Sequence, residues 1–235
     1  MTTAPLTKNK ARELLARLEF ASFLHFVKVQ NTDKDDPRAE MPFEMWDHLI
    51  MLTKVLLLHD LLIILKARQI GISWILAAYA LWTALYHPGS NVLLLSQGKL
   101  EAAKLLGKVR FIHERLPASL QGTVITDSAT VFAFGSNSTV TALPATESAG
   151  RSEDATLVIQ DEADYHENLE ANYSAVKPTV DAGGQHIMVS TANYEIIDSF
   201  FKLEYRRGSK LNDDLTSKGN GESNYVSIFM SWRAR

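Results

Sequence analysis

The chain has 235 residues, with 24 basic against 27 acidic side chains and a formal net charge of -3. Its 46% apolar and 22% charged residues allow one large domain or two small ones with a sizeable core, and exclude whole-chain disorder. The slightly acidic balance excludes coating of nucleic acid by bulk charge, and the absence of cysteine excludes a disulfide scaffold, a thiolate metal site and a cysteine nucleophile.

The polar start, Thr2 to Lys10, predicts no secretory signal. From Lys8 to about Gln30, Leu14, Leu15, Leu18, Phe23, Leu24 and Val27 recur at three- and four-residue steps, which predicts an amphipathic helix. The charged, proline-flanked stretch Asn31–Pro42 reads as a loop and Phe43–His59 as a second helix. Leu61–Leu65 is a short, wholly apolar run of the kind found in strands buried on both faces. A rhythm follows. Ile72–Tyr86 is predicted helical, stopped by His87-Pro88-Gly89; its apolar run from Trp74 to Trp82 is far short of the ~20 residues of a membrane span. Asn91–Ser96 reads as a buried strand, and Lys99–Arg115 as a helix stopped by Pro117. Thr123–Ala142 alternates in polarity as a pair or trio of short antiparallel strands would. Thr156–Gln160 is a strand, Leu169–Val176 a helix ended by Pro178, His186–Ser190 a strand and Ile197–Arg207 a helix. Buried strands alternating with helices predict a parallel sheet covered on both faces. Gly208–Asn224 reads as a polar linker, and Tyr225–Trp232 as a strand-like start of something continued elsewhere.

Ligands of open parallel sheets bind at the carboxyl ends of the strands, and three predicted strands end in phosphate chemistry. In Leu65-Lys66-Ala67-Arg68-Gln69-Ile70-Gly71-Ile72-Ser73, Gly71 and Ser73 fall on the second glycine and the hydroxyl of the G-x-x-x-x-G-K-[ST] phosphate loop. Lys66 stands at the first glycine and Ile72 at the lysine, so the strict pattern fails while its parts remain: a glycine, a hydroxyl for Mg²⁺, and the cations Lys66 and Arg68. A basic turn before a helix is the plain alternative. The second strand ends in Asp161-Glu162. An aspartate there can hold Mg²⁺ and the adjacent glutamate can deprotonate an attacking water; otherwise the pair is an exposed acidic turn. The third ends in Ser190-Thr191-Ala192-Asn193, either a sensor of the γ-phosphate or a helix cap.

The trio KARQIGIS, LVIQDEAD and MVSTAN, in that order, resembles the ATPase domain of phage large terminase subunits, the motors that pump DNA into viral capsids. Pro42-Phe43-Glu44-Met45-Trp46-Asp47-His48 is similar to that family's adenine-contacting segment, which usually ends in Gln where this chain has His48. Ala145–Ser152 resembles its arginine-bearing loop, with Arg151 as the arginine. The resemblance covers roughly Pro42 to Arg207. It implies an α/β, RecA-like P-loop NTPase fold with a mostly parallel sheet, helices on both faces and an N-terminal helical extension. The implied division is residues 1–42 for the extension, 43–207 for the ATPase core, and 208–235 for a linker and the start of a following nuclease domain, so no nuclease activity is expected of this chain. ATP would be the substrate and Mg²⁺ the metal, held by Ser73 and Asp161, with Glu162 and Arg151 catalytic. Nucleotide contacts would come from Phe43, Trp46 and His48, from Lys66, Arg68, Gln69, Ile70, Gly71, Ile72, Ser73 and Trp74, and from Ser190, Thr191 and Asn193. The implied partners are double-stranded DNA, a portal protein, a small terminase subunit and further copies in a ring, the isolated domain being a monomer. The implied place is the host cytoplasm at the procapsid portal.

Two rivals stand beside this reading. Asp161-Glu162-Ala163-Asp164 spells a helicase signature, although such a helicase should carry Gly-Lys-Thr and Ser-Ala-Thr where this chain has Gly71-Ile72-Ser73 and Ser190-Thr191-Ala192. A module that binds nucleotide without turnover is the other. Asp164 reads as a helix-start carboxylate, and no histidine pair has metal-ligand spacing. Lys99, Lys104, Lys108 and Arg110 on one helix, and Arg206, Arg207 and Lys210, are the candidate DNA-facing charges.

Overall fold

The computed structural model describes residues 7–31, 36–150 and 154–234. Among the described residues, ten strands and seven α-helices follow in chain order: α1 (Lys8–Leu18), α2 (Phe20–Leu24), β1 (Lys28–Gln30), β2 (Glu40–Pro42), α3 (Asp47–Leu58), β3 (Leu61–Lys66), α4 (Ile72–Tyr86), β4 (Asn91–Ser96) and α5 (Lys99–Arg115). Then come β5 (Val124–Asp127), β6 (Val131–Phe134), β7 (Thr139–Pro144), β8 (Leu157–Asp161), α6 (Leu169–Asp181), β9 (Gln185–Ser190), α7 (Phe200–Arg207) and β10 (Val226–Met230).

Eight strands form one sheet in the order β10-β3-β9-β8-β4-β7-β6-β5. From β10 to β7 every pairing is parallel, and β7-β6-β5 is an antiparallel meander. Successive side chains of a strand point to opposite faces. Leu62 and Ile64 of β3 accordingly join Leu94, Ile159 and Ile187 under α2 to α5. Ile63 and Met188 pack instead with Leu169 of α6 and Phe201 of α7, and Leu93, Leu95 and Val158 with Val176 of α6. Helices cover both faces, as the apolar runs of the strands required. Helix α4, buried along nearly its whole length, is the central helix of the first layer. No helix of the described residues is long and apolar enough to cross a membrane.

The structure departs from the sequence-based expectations mainly near the ends of the chain. The helix expected over Lys8–Gln30 breaks at Glu19, whose backbone is extended. The break turns α2 so that Phe20 packs against Tyr79 at 4.9 Å and Trp82 at 5.7 Å between ring centroids, a burial that a single straight helix would forgo. After α2, β1 pairs antiparallel with β2, so the stretch expected as a loop supplies half of a two-stranded ribbon. Helix α3 begins at Asp47, leaving 43–46 outside any helix or strand. Helix α6 runs through Pro178 to Asp181; proline there removes one helical hydrogen bond close to the exposed end, where the loss is smallest. Helix α7 starts at Phe200, capped by Ser199, whose hydroxyl accepts from the Lys202 N–H at 3.3 Å.

The largest correction concerns 208–235. Val226–Met230 is a parallel edge strand of the central sheet, registered on Leu62–Lys66, and Ser209 bridges to Val226. Gly208 lies so close to this strand that an added Cβ would meet Ser227 Oγ. The segment packs back onto the core because β3, buried on both faces, needs hydrogen-bond partners on both edges.

Candidate nucleotide site

Strands β3, β9 and β8 lie side by side, and their carboxyl ends bring together the three motifs. Lys66 ends β3 and is 8% exposed. Its ammonium donates to Glu162 Oε1 at 2.8 Å. Glu162, immediately past β8 and in the left-handed region at φ 52°, accepts on its other oxygen from the Thr191 N–H at 3.2 Å and the Thr191 hydroxyl at 3.1 Å. Ser190 donates to the same oxygen at 3.4 Å. Burial pulls the Glu162 carboxyl upward, but the Lys66 charge and hydrogen bond and the Thr191 donors outweigh it, and the group sits below the usual carboxylate range.

Asp161 is the counterpart. Burial pushes its carboxyl above the usual range, against the opposing charge of Lys66. Ser73 Oγ, on the first turn of α4, lies 3.4 Å from Asp161 Oδ2. A half-buried carboxylate facing a hydroxyl suits a hard cation. Among the described residues no group of three or more His, Asp or Glu could hold a metal, so these two would share Mg²⁺ with phosphate oxygens and water, its usual manner of binding at such sites.

The loop between β3 and α4 turns at Gly71, with φ 82°. A Cβ there would be strained and would come 3.1 Å from Leu49, so glycine is required by both conformation and space. Beside the loop opens a cavity of about 690 Å³. Its phosphate end is lined by Lys66, Gln69, Ile70, Gly71, Ile72 and Ser73 with Glu162. Phe43 and Trp46 and the β1-β2 ribbon, through Val29, Gln30, Met41 and Pro42, close the rest, and Trp74 lines the cavity next to Ser73 on the first turn of α4. The aromatic and apolar half is fit to take a flat base and the polar half a phosphate chain.

Several expected contacts fall elsewhere. His48 is buried, and its Nε2 donates to the Ile70 carbonyl at 2.8 Å while its ring stacks on Trp46. It holds the phosphate loop and the aromatic wall from behind and does not line the cavity. Arg68 is exposed and is likewise outside the lining, whereas Lys66 is part of it. Asn193 turns to Asp164: its N–H donates to Oδ2 at 2.6 Å. Asp164 is buried, also accepts from Ser199, and pairs with Lys202 at 3.3 Å; it ties β9 to α7. Ser190 and Thr191 serve Glu162 directly. Arg151 lies outside the described residues.

The loop ahead of Arg151 is anchored by a directed chain of buried hydrogen bonds. Asn172 Nδ2 donates to the carbonyls of Thr146 at 2.8 Å and Ala149 at 2.9 Å. Asn172 accepts from Gln160, and Gln160 in turn accepts from His186 Nε2 at 2.9 Å. His186 Nδ1 accepts from the Tyr225 hydroxyl at 2.6 Å. Sequence reading missed this chain, since its members are single polar residues inside apolar strands. It also missed the β1-β2 ribbon, and it read Lys108 as a DNA-facing charge, whereas the side chain lines the cavity. The signal for Lys108 was faint: it flanks the buried stripe Leu105, Val109 and Ile112 of α5. Its helix neighbour Arg110 is occupied by Asp127 at 2.5 Å, and Arg206 and Arg207 pair with Asp198 at 2.7 Å and Glu204 at 2.5 Å.

A mainly parallel sheet with helices on both faces, in which β9 lies between β3 and β8, is a RecA-like α/β fold. Comparison with solved structures narrows this to the fold of phage large terminase ATPase domains. The Thermus phage P74-26 large terminase ATPase domain matches with a TM-score of 0.55 at 18% identity, over 73% of this chain and 76% of that one. The HK97 bacteriophage large terminase matches with a TM-score of 0.60 at 14% identity, over 80% of this chain and 40% of that one. The N-terminal domain of the DNA packaging ATPase from bacteriophage phi29 matches with a TM-score of 0.50 at 16% identity, over 78% and 95%. No family model and no curated protein matches the sequence; at these identities the likeness is one of fold.

Proposed function

We propose that the chain is the ATP-hydrolysing motor domain of a phage DNA-packaging terminase, driving double-stranded DNA into a procapsid in the host cytoplasm. The observation that carries this reading is the convergence of Lys66, Ser73, Asp161, Glu162 and Thr191 at one end of a cavity whose other end is aromatic. The fold shared with terminase ATPase domains supports packaging over helicase action, and portal protein, small terminase subunit and further copies of the chain are the partners this reading brings with it.

Mg²⁺ held by Ser73 and Asp161 would neutralise charge on the phosphate oxygens. Glu162 orients a water and takes its proton as the water oxygen bonds to the γ-phosphorus. The bond from that phosphorus to the bridging oxygen breaks, and ADP and phosphate leave. Without nucleotide Glu162 is a poor base, because Lys66 and Thr191 hold it anionic. Triphosphate entering the cavity competes for Lys66, and a Glu162 freed of that ammonium gains basicity as the substrate arrives. Ser190 at the end of β9 and Thr191 just past it then report the state of Glu162 to α7. Phosphate release from Mg·ATP by the purified chain, set against Glu162→Gln, tests this. Binding of ATP with no turnover by the wild type would instead favour the non-hydrolysing module.

A further inference from the structure

We propose that Lys108 is a second phosphate cation, delivered by α5 to the terminal phosphate of the bound nucleoside triphosphate in place of the lysine of the phosphate-loop pattern, whose position Ile72 occupies. This rests on the reading of the cavity as a nucleotide site.

The residue before Ser73 is Ile72, buried in the core, so the start of α4 offers no cation to the phosphates. Lys108 reaches the same cavity as Lys66, Ser73 and Glu162 from the neighbouring helix. Its ammonium lies 5.7 Å from the centre of the Trp74 ring. Trp74 is held edge-on by Phe111 of α5, 5.6 Å between centroids, so the platform and the cation come as one unit across the α4-α5 contact. Among the described residues Lys108 makes no hydrogen bond and no ion pair within 4.0 Å; the charges it feels are those of Asp161, Lys66 and Glu162. A half-buried ammonium with only an aromatic face for company is poorly compensated. Burial pushes it below the usual lysine range, and an anion entering beside it would reverse that. Asp161 and Glu162 mark the end of the cavity where the terminal phosphate reacts, so the contact belongs to that phosphate and not to the base.

Lys108→Met keeps the aliphatic stem on Trp74 and removes the charge, while Lys108→Arg keeps the charge. Calorimetric titrations of the purified chain with Mg·ATP and with Mg·ADP give the readout. Lys108→Met should bind ADP as the wild type does and ATP about 10-fold or more weaker, the scale of one lost charge-assisted hydrogen bond. Lys108→Arg should restore most of the difference. The melting temperature of Lys108→Met should equal or exceed that of the wild type, whereas a merely structural lysine would lower it. Lys108→Gln serves the same comparison if the methionine variant does not fold. Unchanged ATP affinity, or equal losses for ATP and ADP, would overturn the proposal while leaving the nucleotide site intact. A wild type that binds neither nucleotide would overturn the underlying reading and this proposal with it.

Discussion

His186 converts acidity into a loss of stability whose size follows from its surroundings. It is fully buried on β9, both ring nitrogens are engaged by neutral groups, and its ring contacts are Tyr173 and Tyr225. Because Gln160 donates its amide to Asn172 and so offers His186 only its oxygen, His186 carries its proton on Nε2 and accepts on Nδ1. Burial holds its pKa down to about 3, from an ordinary 6.5. The folded state therefore prefers the neutral ring. The stability this contributes is complete above the unfolded value near 6.5 and is lost as the pH falls from there toward 3. At pH 5 the cost is about 2 kcal/mol, or roughly 4–8 °C in melting temperature for a chain of this size. His113 and His166 are also held low by burial and steepen the slope of any variant that keeps them. The measurement is thus a difference: melting temperature at pH 7 and pH 5 for wild type and for His186→Gln, which cannot take the proton. The variant should start lower at pH 7 and fall by several degrees less on acidification. Parallel losses in the two proteins would refute the reasoning, since His186 would then not be the group protonated on unfolding.

Glu162→Gln should keep ATP affinity near wild type and slow phosphate release by about 10²–10⁴-fold, the worth of a positioned base; near wild-type turnover would remove Glu162 from that role. Lys66→Ala should weaken both ATP and ADP in a binding titration, whereas Arg68→Ala should bind almost as wild type, and the reverse order would make Arg68 the loop cation. For Arg151 the expectation is action across a subunit boundary, where an arginine can be worth about 10³–10⁵ in rate. Specific ATPase activity should rise with protein concentration, and mixing Arg151→Ala with Glu162→Gln should restore some of it. Activity flat with concentration and a dead mixture would confine the arginine to its own subunit or to no role.

The parts written in the sequence are those decided by neighbours along the chain. Leu61–Leu65 and Asn91–Ser96 announce strands buried on both faces because nothing polar interrupts them. Ile72–Tyr86 and Lys99–Arg115 stop where His87-Pro88-Gly89 and Leu116-Pro117 forbid another turn. Lys66, Asp161, Glu162 and Thr191 could be singled out because each stands at or just past the end of an apolar run, and Ser73 because it falls on the hydroxyl of the phosphate-loop pattern. Tertiary structure alone decided the rest. No local signal sets β9 between β3 and β8, or returns Val226–Met230 to the edge of β3 after a polar stretch; those pairings are settled by which edges and faces remain to be covered. His48 faces the Ile70 carbonyl and Lys108 the cavity because α3 and α5 meet the phosphate loop at angles set by the packing of α4. A helical period tells which residues share a face, but the direction of that face depends on the sheet beneath it.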